Sequence, residues 1–221
     1  MIYPIGDGTK VTADQFWYVA QGFGNPTSYG FHDGIDWNLK TGGDTDLGQE
    51  VKAIASGRIV YYHYSSHPTI NFGRHLVYKI DGPWGTRWVH CAHLSDQDFK
   101  NSAVDVAEGS LIGRIGKSGT PYAHLHFSIF KVDPVAFGID NIANNEAELD
   151  NYWEDPITFL NTWTAVAPTP GPSPVTDQSL YDFQGNIGIV ELQHGRSIMR
   201  EYEGKINELN GKLSQIKQIV G

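Results

Sequence analysis

The sequence predicts a mainly β domain built on an antiparallel sheet, and three observations carry that expectation. Aromatic residues make up 12% of the chain and stand beside 25 glycines and 11 prolines. That mixture suits short strands joined by tight turns, because glycine supplies positive φ and proline fixes φ. Residues that are β-branched or aromatic also concentrate in separate runs, and a strong turn signal lies between two of them.

The runs are Glu50 to Tyr64, Arg74 to Ile80, Thr86 to Ala92, Ser110 to Ile115 and His124 to Lys131, each with the composition of a pleated, half-buried strand. Asp81-Gly82-Pro83-Trp84-Gly85 separates the second from the third and predicts a hairpin. Helical character is expected only at the end of the domain. There Asp155 is placed to cap a helix, with Pro156 in the first helical position ahead of Phe159 and Leu160.

At 221 residues, 40% hydrophobic and 19% charged, the chain has room for one full domain and an appendage. The domain is expected over residues 1–164. A linker follows over 165–176, where Pro168, Pro170, Pro172 and Pro174 favour an extended path. Over 177–221 the pattern changes to a helical segment. Met199, Tyr202, Ile206, Leu209, Leu213, Ile216 and Val220 alternate at three and four residues, the spacing of a coiled-coil seam. That seam would support a homo-oligomer through residues 180–221. A single amphipathic helix is the other reading, and Gly204 and Gly211 would each weaken an isolated helix by about 1 kcal/mol.

Net charge and cysteine content narrow the function. A formal charge of -9 argues against nonspecific binding to nucleic acid, which needs surplus Lys and Arg to displace counterions. Cys91 is the single cysteine, so neither an internal disulfide nor a thiolate zinc cluster can form. Metal ligands must then be His, Asp or Glu. No segment approaches the apolar length of a membrane span, so no membrane insertion is expected. The first residues lack the basic stretch and apolar run of a secretory signal. The corresponding expectation is a removed export signal, host lysis or a virus particle.

Three clusters carry the chemistry. On a strand, His124 and His126 of His124-Leu125-His126-Phe127 project from one face, while Leu125 and Phe127 point to the opposite, buried layer. Alone, such a pair is more often an ordinary surface or core pair. His32-Asp33-Gly34-Ile35-Asp36 offers an imidazole and a carboxylate beside Gly30 and Gly34, and zinc accepts mixed nitrogen and oxygen ligands. The competing role of Asp36 is that of a turn carboxylate. His90-Cys91-Ala92-His93 closes a predicted strand, and residues three apart face opposite sides, so only one of His90 and His93 is expected in a shared cleft. No H-E-x-x-H helix is present to supply a glutamate base, which leaves histidines outside the metal's ligand set for proton transfer.

Together these segments resemble the LytM and lysostaphin-like family of peptidoglycan endopeptidases, whose signature is H-x-x-x-D, a later Y-x-H-L-S and a closing H-L-H-F. The resemblance runs from about Gly22 to Leu160. Phe23-Gly24 leads into Gly34-Ile35-Asp36, Gly48 to Val60 reads like G-x-x-V-x-A-x-x-G-x-V, and Asp155-Pro156 resembles the closing helix. It implies that His32, Asp36 and His126 bind one Zn2+, with His93 and His124 as catalytic histidines; which of the two is the base stays open. Zinc would lower the pKa of its water and polarise the scissile carbonyl.

Three departures bear on substrate and remove no ligand: Cys91 for tyrosine, Ala123 where proline often stands, and Ser128 for a frequent glutamate. Other residues are expected to have no role in the site: His63, His67, His75 and His194 lack a partner at ligand spacing. Trp37, Trp84 and Trp88 are read as core, with a substrate groove as the alternative.

The implied function is hydrolysis of peptide bonds in peptidoglycan at the bacterial cell wall, by a secreted or virion-associated enzyme of phage or host origin. Two rivals remain. One is a non-catalytic module that binds cell-wall peptides or activates a hydrolase. The other is a structural component of a phage tail or secretion assembly.

Overall fold

The structure, a computed structural model, describes residues 1–67, 70–95 and 104–164. The linker, the heptad segment and His194 lie outside the described residues.

In chain order the strands are β1 (Trp17–Gln21), β2 (Pro26–Thr27), β3 (Gly30–Phe31), β4 (Gly34–Leu39), β5 (Glu50–Lys52), β6 (Gly57–Ser65), β7 (Gly73–Gly82), β8 (Gly85–Leu94), β9 (Asp105–Val106), β10 (Leu111–Arg114), β11 (Leu125–Phe130) and β12 (Trp153–Glu154). The helices are α1 (Lys10–Phe16), α2 (Pro134–Phe137), α3 (Glu146–Tyr152) and α4 (Pro156–Thr164). The main sheet runs β1-β4-β11-β8-β7-β6-β9, with β12 also pairing to β11. Every pairing is antiparallel, so the expected fold class is the observed one.

The sheet buries one face because its strands alternate. In β11, Leu125, Phe127 and Ile129 join Ile35, Trp37, Tyr78, Ile80, Val89 and Cys91 in one apolar cluster closed by Phe159 and Leu160 of α4. Burying a side chain such as Leu or Phe stabilises the fold by roughly 1.5–3 kcal/mol, so this layer fixes which residues face the other way. A one-residue slip would exchange the two faces. The expected hairpin is formed by β7 and β8, with Gly82 opposite Gly85. Asp155 caps α4 by accepting from the Ile157 N–H at 2.9 Å.

Three expectations change. The run Glu50 to Tyr64 divides into β5 and β6, which belong to different sheets, because Ala53, Ile54 and Ala55 turn inward to fill the core between them. Helices occur before the end as well: α1 is started by Thr9, whose side chain accepts from the Thr12 N–H. With only Ala13 buried, α1 shows no helical periodicity. The segment Gly34–Leu39, not among the expected strands, is a strand paired on both sides. Among the described residues, no helix is long and apolar enough to cross a membrane.

A candidate metal centre at the floor of a cleft

Strand register brings the separated clusters together. His126 lies opposite Asp36 on β4 and opposite Ala92 on β8, so β11 carries its histidine between the other two motifs. The close approach requires Gly34. A Cβ there would stand 2.5 Å from the Phe127 carbonyl oxygen, 2.8 Å from Ser128 Cβ and 3.0 Å from His126 Cε1.

His32 enters the site from the loop between β3 and β4, pinned at both backbone groups. Its N–H donates to the Asn25 carbonyl and its own carbonyl accepts from the Gly24 N–H, each at 2.9 Å. His32 Nδ1 lies 3.1 Å from the Gly22 carbonyl. A carbonyl can only accept, so Nδ1 carries the proton and Nε2 presents a lone pair. Nε2 faces His126 Nδ1 at 3.1 Å and Asp36 Oδ1 at 3.3 Å, and Asp36 Oδ1 is 3.1 Å from His126 Nδ1.

One ligand atom from each of His32, Asp36 and His126 lies within 4.8 Å of the others. Two imidazole nitrogens and a carboxylate oxygen converging in this way form the donor set that a divalent cation accepts. Burial would raise the pKa of Asp36, but when the two rings are protonated the hydrogen bonds from His126 and His32 and their charges outweigh it and hold the carboxylate well below its usual range. Burial would lower His32, and the hydrogen bond and charge of Asp36 raise it instead.

His93 and His124 form a second layer, with ring centroids 4.5 Å apart. His93 Nδ1 donates to the Ser118 carbonyl at 2.9 Å and His124 Nδ1 donates to the Tyr122 carbonyl at 3.1 Å, so each offers Nε2 as a lone pair. Burial, followed by the nearby His124 and His126 charges, pushes His93 down to about 3. Burial also lowers His124, although Asp36, 3.9 Å from its Nε2, opposes this.

The structure resolves the competition between His90 and His93. His93 lines the cleft, whereas His90 is fully buried and hydrogen bonds to His75 at 2.9 Å. Strict alternation would not predict His93's position. Its φ of 61° breaks the strand period and turns the side chain onto the side of His126, with ring centroids 6.2 Å apart.

Two departures from the family pattern gain a physical reason. Ala123 donates its N–H to Asp44 at 2.9 Å and its carbonyl accepts from Asn38 at 3.0 Å, which fixes the backbone before His124. Proline has no N–H to make the first bond. Ser128 Oγ lies 3.4 Å from His90 Nδ1, a pairing that belongs to a buried histidine. Cys91 is buried in the core, and burial raises its thiol well above the ordinary value.

The five predicted residues line a cleft of about 550 Å3, together with Tyr29, Phe31, Asn71, Phe72, Thr120 and others. Trp37 is core, and Trp84 and Trp88 pack against core clusters rather than the cleft. His67, expected to have no role in the site, lines the cleft. Sequence reasoning also missed Phe72, whose ring lies 5.3 Å from that of His126, and Asp33, whose Oδ1 lies 3.5 Å from His126 Nε2. Asp33 sat within a motif already singled out. Nothing in the spacing pointed to Phe72.

The model of Peptidase family M23 matches residues 30–137, a stretch that includes all five predicted site positions and the whole of β11. Among solved structures, cbpa from L. salivarius REN is 24% identical with a TM-score of 0.51, over 73% of this chain and 94% of that one; the likeness is one of fold. The catalytic domain of the antimicrobial peptidase lysostaphin from Staphylococcus simulans is 25% identical, with a TM-score of 0.47 over 66% and 92% of the two chains. A variant catalytic domain of the prophage-encoded M23 protein EnpA from Enterococcus faecalis is 24% identical, with a TM-score of 0.42 over 53% and 83%. No curated protein matches the chain.

Proposed function

We propose that this chain is a zinc-dependent endopeptidase that hydrolyses peptide bonds of bacterial peptidoglycan. His32, Asp36 and His126 are its metal ligands, and His93 and His124 are its catalytic histidines. The observation that carries the reading is the convergence of His32 Nε2, His126 Nδ1 and an Asp36 oxygen within 4.8 Å at the floor of the cleft. Three protein ligands leave a place for water, the usual arrangement of a hydrolytic zinc site. Zinc bound there supplies Lewis acidity toward the scissile carbonyl and lowers the pKa of water toward about 7.

The chain's own groups then divide the proton work. His93 and His124 stay neutral because burial opposes their charging, and each presents a lone pair at Nε2. The histidine that takes the proton of the attacking water becomes an Nε2–H donor, able to hydrogen bond the developing oxyanion and return the proton to the leaving amine. The backbone carbonyls of Ser118 and Tyr122 hold the two rings in that orientation.

The family match and the sequence resemblance support a peptide substrate, and the resemblance extends this to the cell wall. The enzyme would act there as a secreted or virion-associated protein. The test is direct. Purified protein should carry about one zinc per chain and release new peptide termini from peptidoglycan of at least one chemotype, detected by mass spectrometry. A chelator or His126→Ala should abolish both metal and cleavage. Full cleavage by metal-free protein overturns the reading.

A further inference from the structure

Three of the four histidines predicted for the site have a backbone carbonyl behind the ring: Gly22 for His32, Ser118 for His93 and Tyr122 for His124. His126 differs. Its Nδ1 faces Asp36 and His32, and its Nε2 is buried without a hydrogen-bond partner among the described residues. Among the described residues, the carboxylate oxygen that faces this nitrogen is Asp33 Oδ1, 3.5 Å away. Asp33 is itself buried, and its second oxygen, Oδ2, also has no hydrogen-bond partner there.

We infer that Asp33 is a positioning residue for His126, keeping a proton on Nε2 so that the Nδ1 lone pair faces Asp36 and His32. The argument is electrostatic. An imidazole with one proton places it on one nitrogen and a lone pair on the other. A lone pair at Nε2 would oppose the Asp33 carboxylate in a site shielded from water, whereas an N–H there is attracted to it. With a cation bound to offset the repulsion between the Nδ1 lone pair and Asp36 Oδ1, 3.1 Å away, the Asp33 carboxylate favours the tautomer that leaves Nδ1 open. It does for His126 what the three carbonyls do for the other rings, and the partner of a ligating histidine is commonly worth 10–100-fold in metal affinity.

Asp33 lies between the proposed ligands His32 and Asp36 in sequence, so the same short segment supplies two donors and orients the third. The role rests on the zinc reading above. It concerns a side chain outside the three proposed metal ligands.

The experiment compares wild type with Asp33→Asn and Asp33→Leu, side chains of similar shape. Zinc affinity is measured by competition with a chromophoric chelator. The His126 Nε2–H proton is observed by NMR in zinc-loaded protein labelled with 15N-histidine. Leucine should weaken zinc binding 10–100-fold and move the Nε2–H signal upfield with faster solvent exchange. Asparagine keeps an oxygen acceptor, folds in the same shape, and should retain most of the affinity. Equal zinc affinity in wild type and both variants, with an unchanged Nε2–H signal, overturns the role of Asp33 while leaving the zinc reading intact. Failure of wild type itself to bind zinc overturns the zinc reading instead.

Discussion

His93 and His124 stand with ring centroids 4.5 Å apart, although 31 residues separate them and only His124 belongs to the H-L-H-F motif. Each donates Nδ1–H to a carbonyl, so the two Nε2 atoms are both free to act over the cluster formed by His32, Asp36 and His126. This pairing separates two kinds of loss that mutation can cause.

Replacing His124 by Ala should leave zinc content unchanged and lower kcat by about 10²–10⁴-fold, the usual worth of a positioned acid or base. His93→Ala should behave similarly, and the double variant should cost much less than the product of the single losses because the two share one proton transfer. Metal analysis beside single-turnover cleavage of a peptide substrate checks this. Loss of zinc in either single variant would count against the division of labour.

The left-handed backbone of His93 (φ 61°) gives a second expectation. Glycine adopts that conformation without the steric cost borne by other residues, about 1–2 kcal/mol. His93→Gly should therefore unfold at higher denaturant than His93→Ala, even though both lack the imidazole. Urea titration of the two variants measures the difference; equal midpoints would mean that the strand end relaxes freely.

Gly34→Ala should damage fold and site together. Its Cβ would meet the Phe127 carbonyl at 2.5 Å and His126 Cε1 at 3.0 Å, so β4 and β11 must separate or the His126 ring must move. We expect about 1–3 kcal/mol of lost stability, the usual range for overpacking, together with weaker zinc binding. Thermal unfolding with and without zinc would show both effects.

The metal-free protein should lose stability in acid. Burial pushes His75 and His93 down to about 3 and lowers His90 and His124. As pH falls below about 6.5 the unfolded chain therefore takes up protons that the folded chain refuses, at about 1.4 kcal/mol per pH unit for each such group. The loss continues toward about pH 3. His32 acts in the opposite direction, since its raised value favours the fold below the ordinary histidine range, but it is one group against four. Chemical denaturation at several pH values checks the slope. Stability that stayed flat from pH 6.5 to pH 4 would contradict the buried, neutral state of these rings.

Much of the site was legible because its parts lie in short motifs. The spacing of His124 and His126 specified a shared face, and the apolar Leu125 and Phe127 between them specified which face was buried. The contribution of β4 was harder to read, since glycines beside His32 suggest a turn as readily as a strand in close contact with its neighbour. Alternation predicted only that one of His90 and His93 faces the cleft, and the family resemblance chose His93. His93 reaches its place through a left-handed residue, which strand periodicity cannot anticipate. The roles of Asp44, Asn38 and Asp33 depend on contacts across the sheet, to which local patterns are blind. The short helix α1 escaped notice for want of a buried stripe.

The register of β11 has a practical consequence. Because the same six-residue strand sends Leu125 and Phe127 into the apolar layer and His126 toward Asp36, a molecule misaligned by one position would lose its interior and its chemistry at once. No folded but catalytically scrambled population is expected in a preparation. If the proposed activity holds, turnover per milligram should therefore track the fraction of correctly assembled molecules, making cleavage itself a gauge of refolding yield.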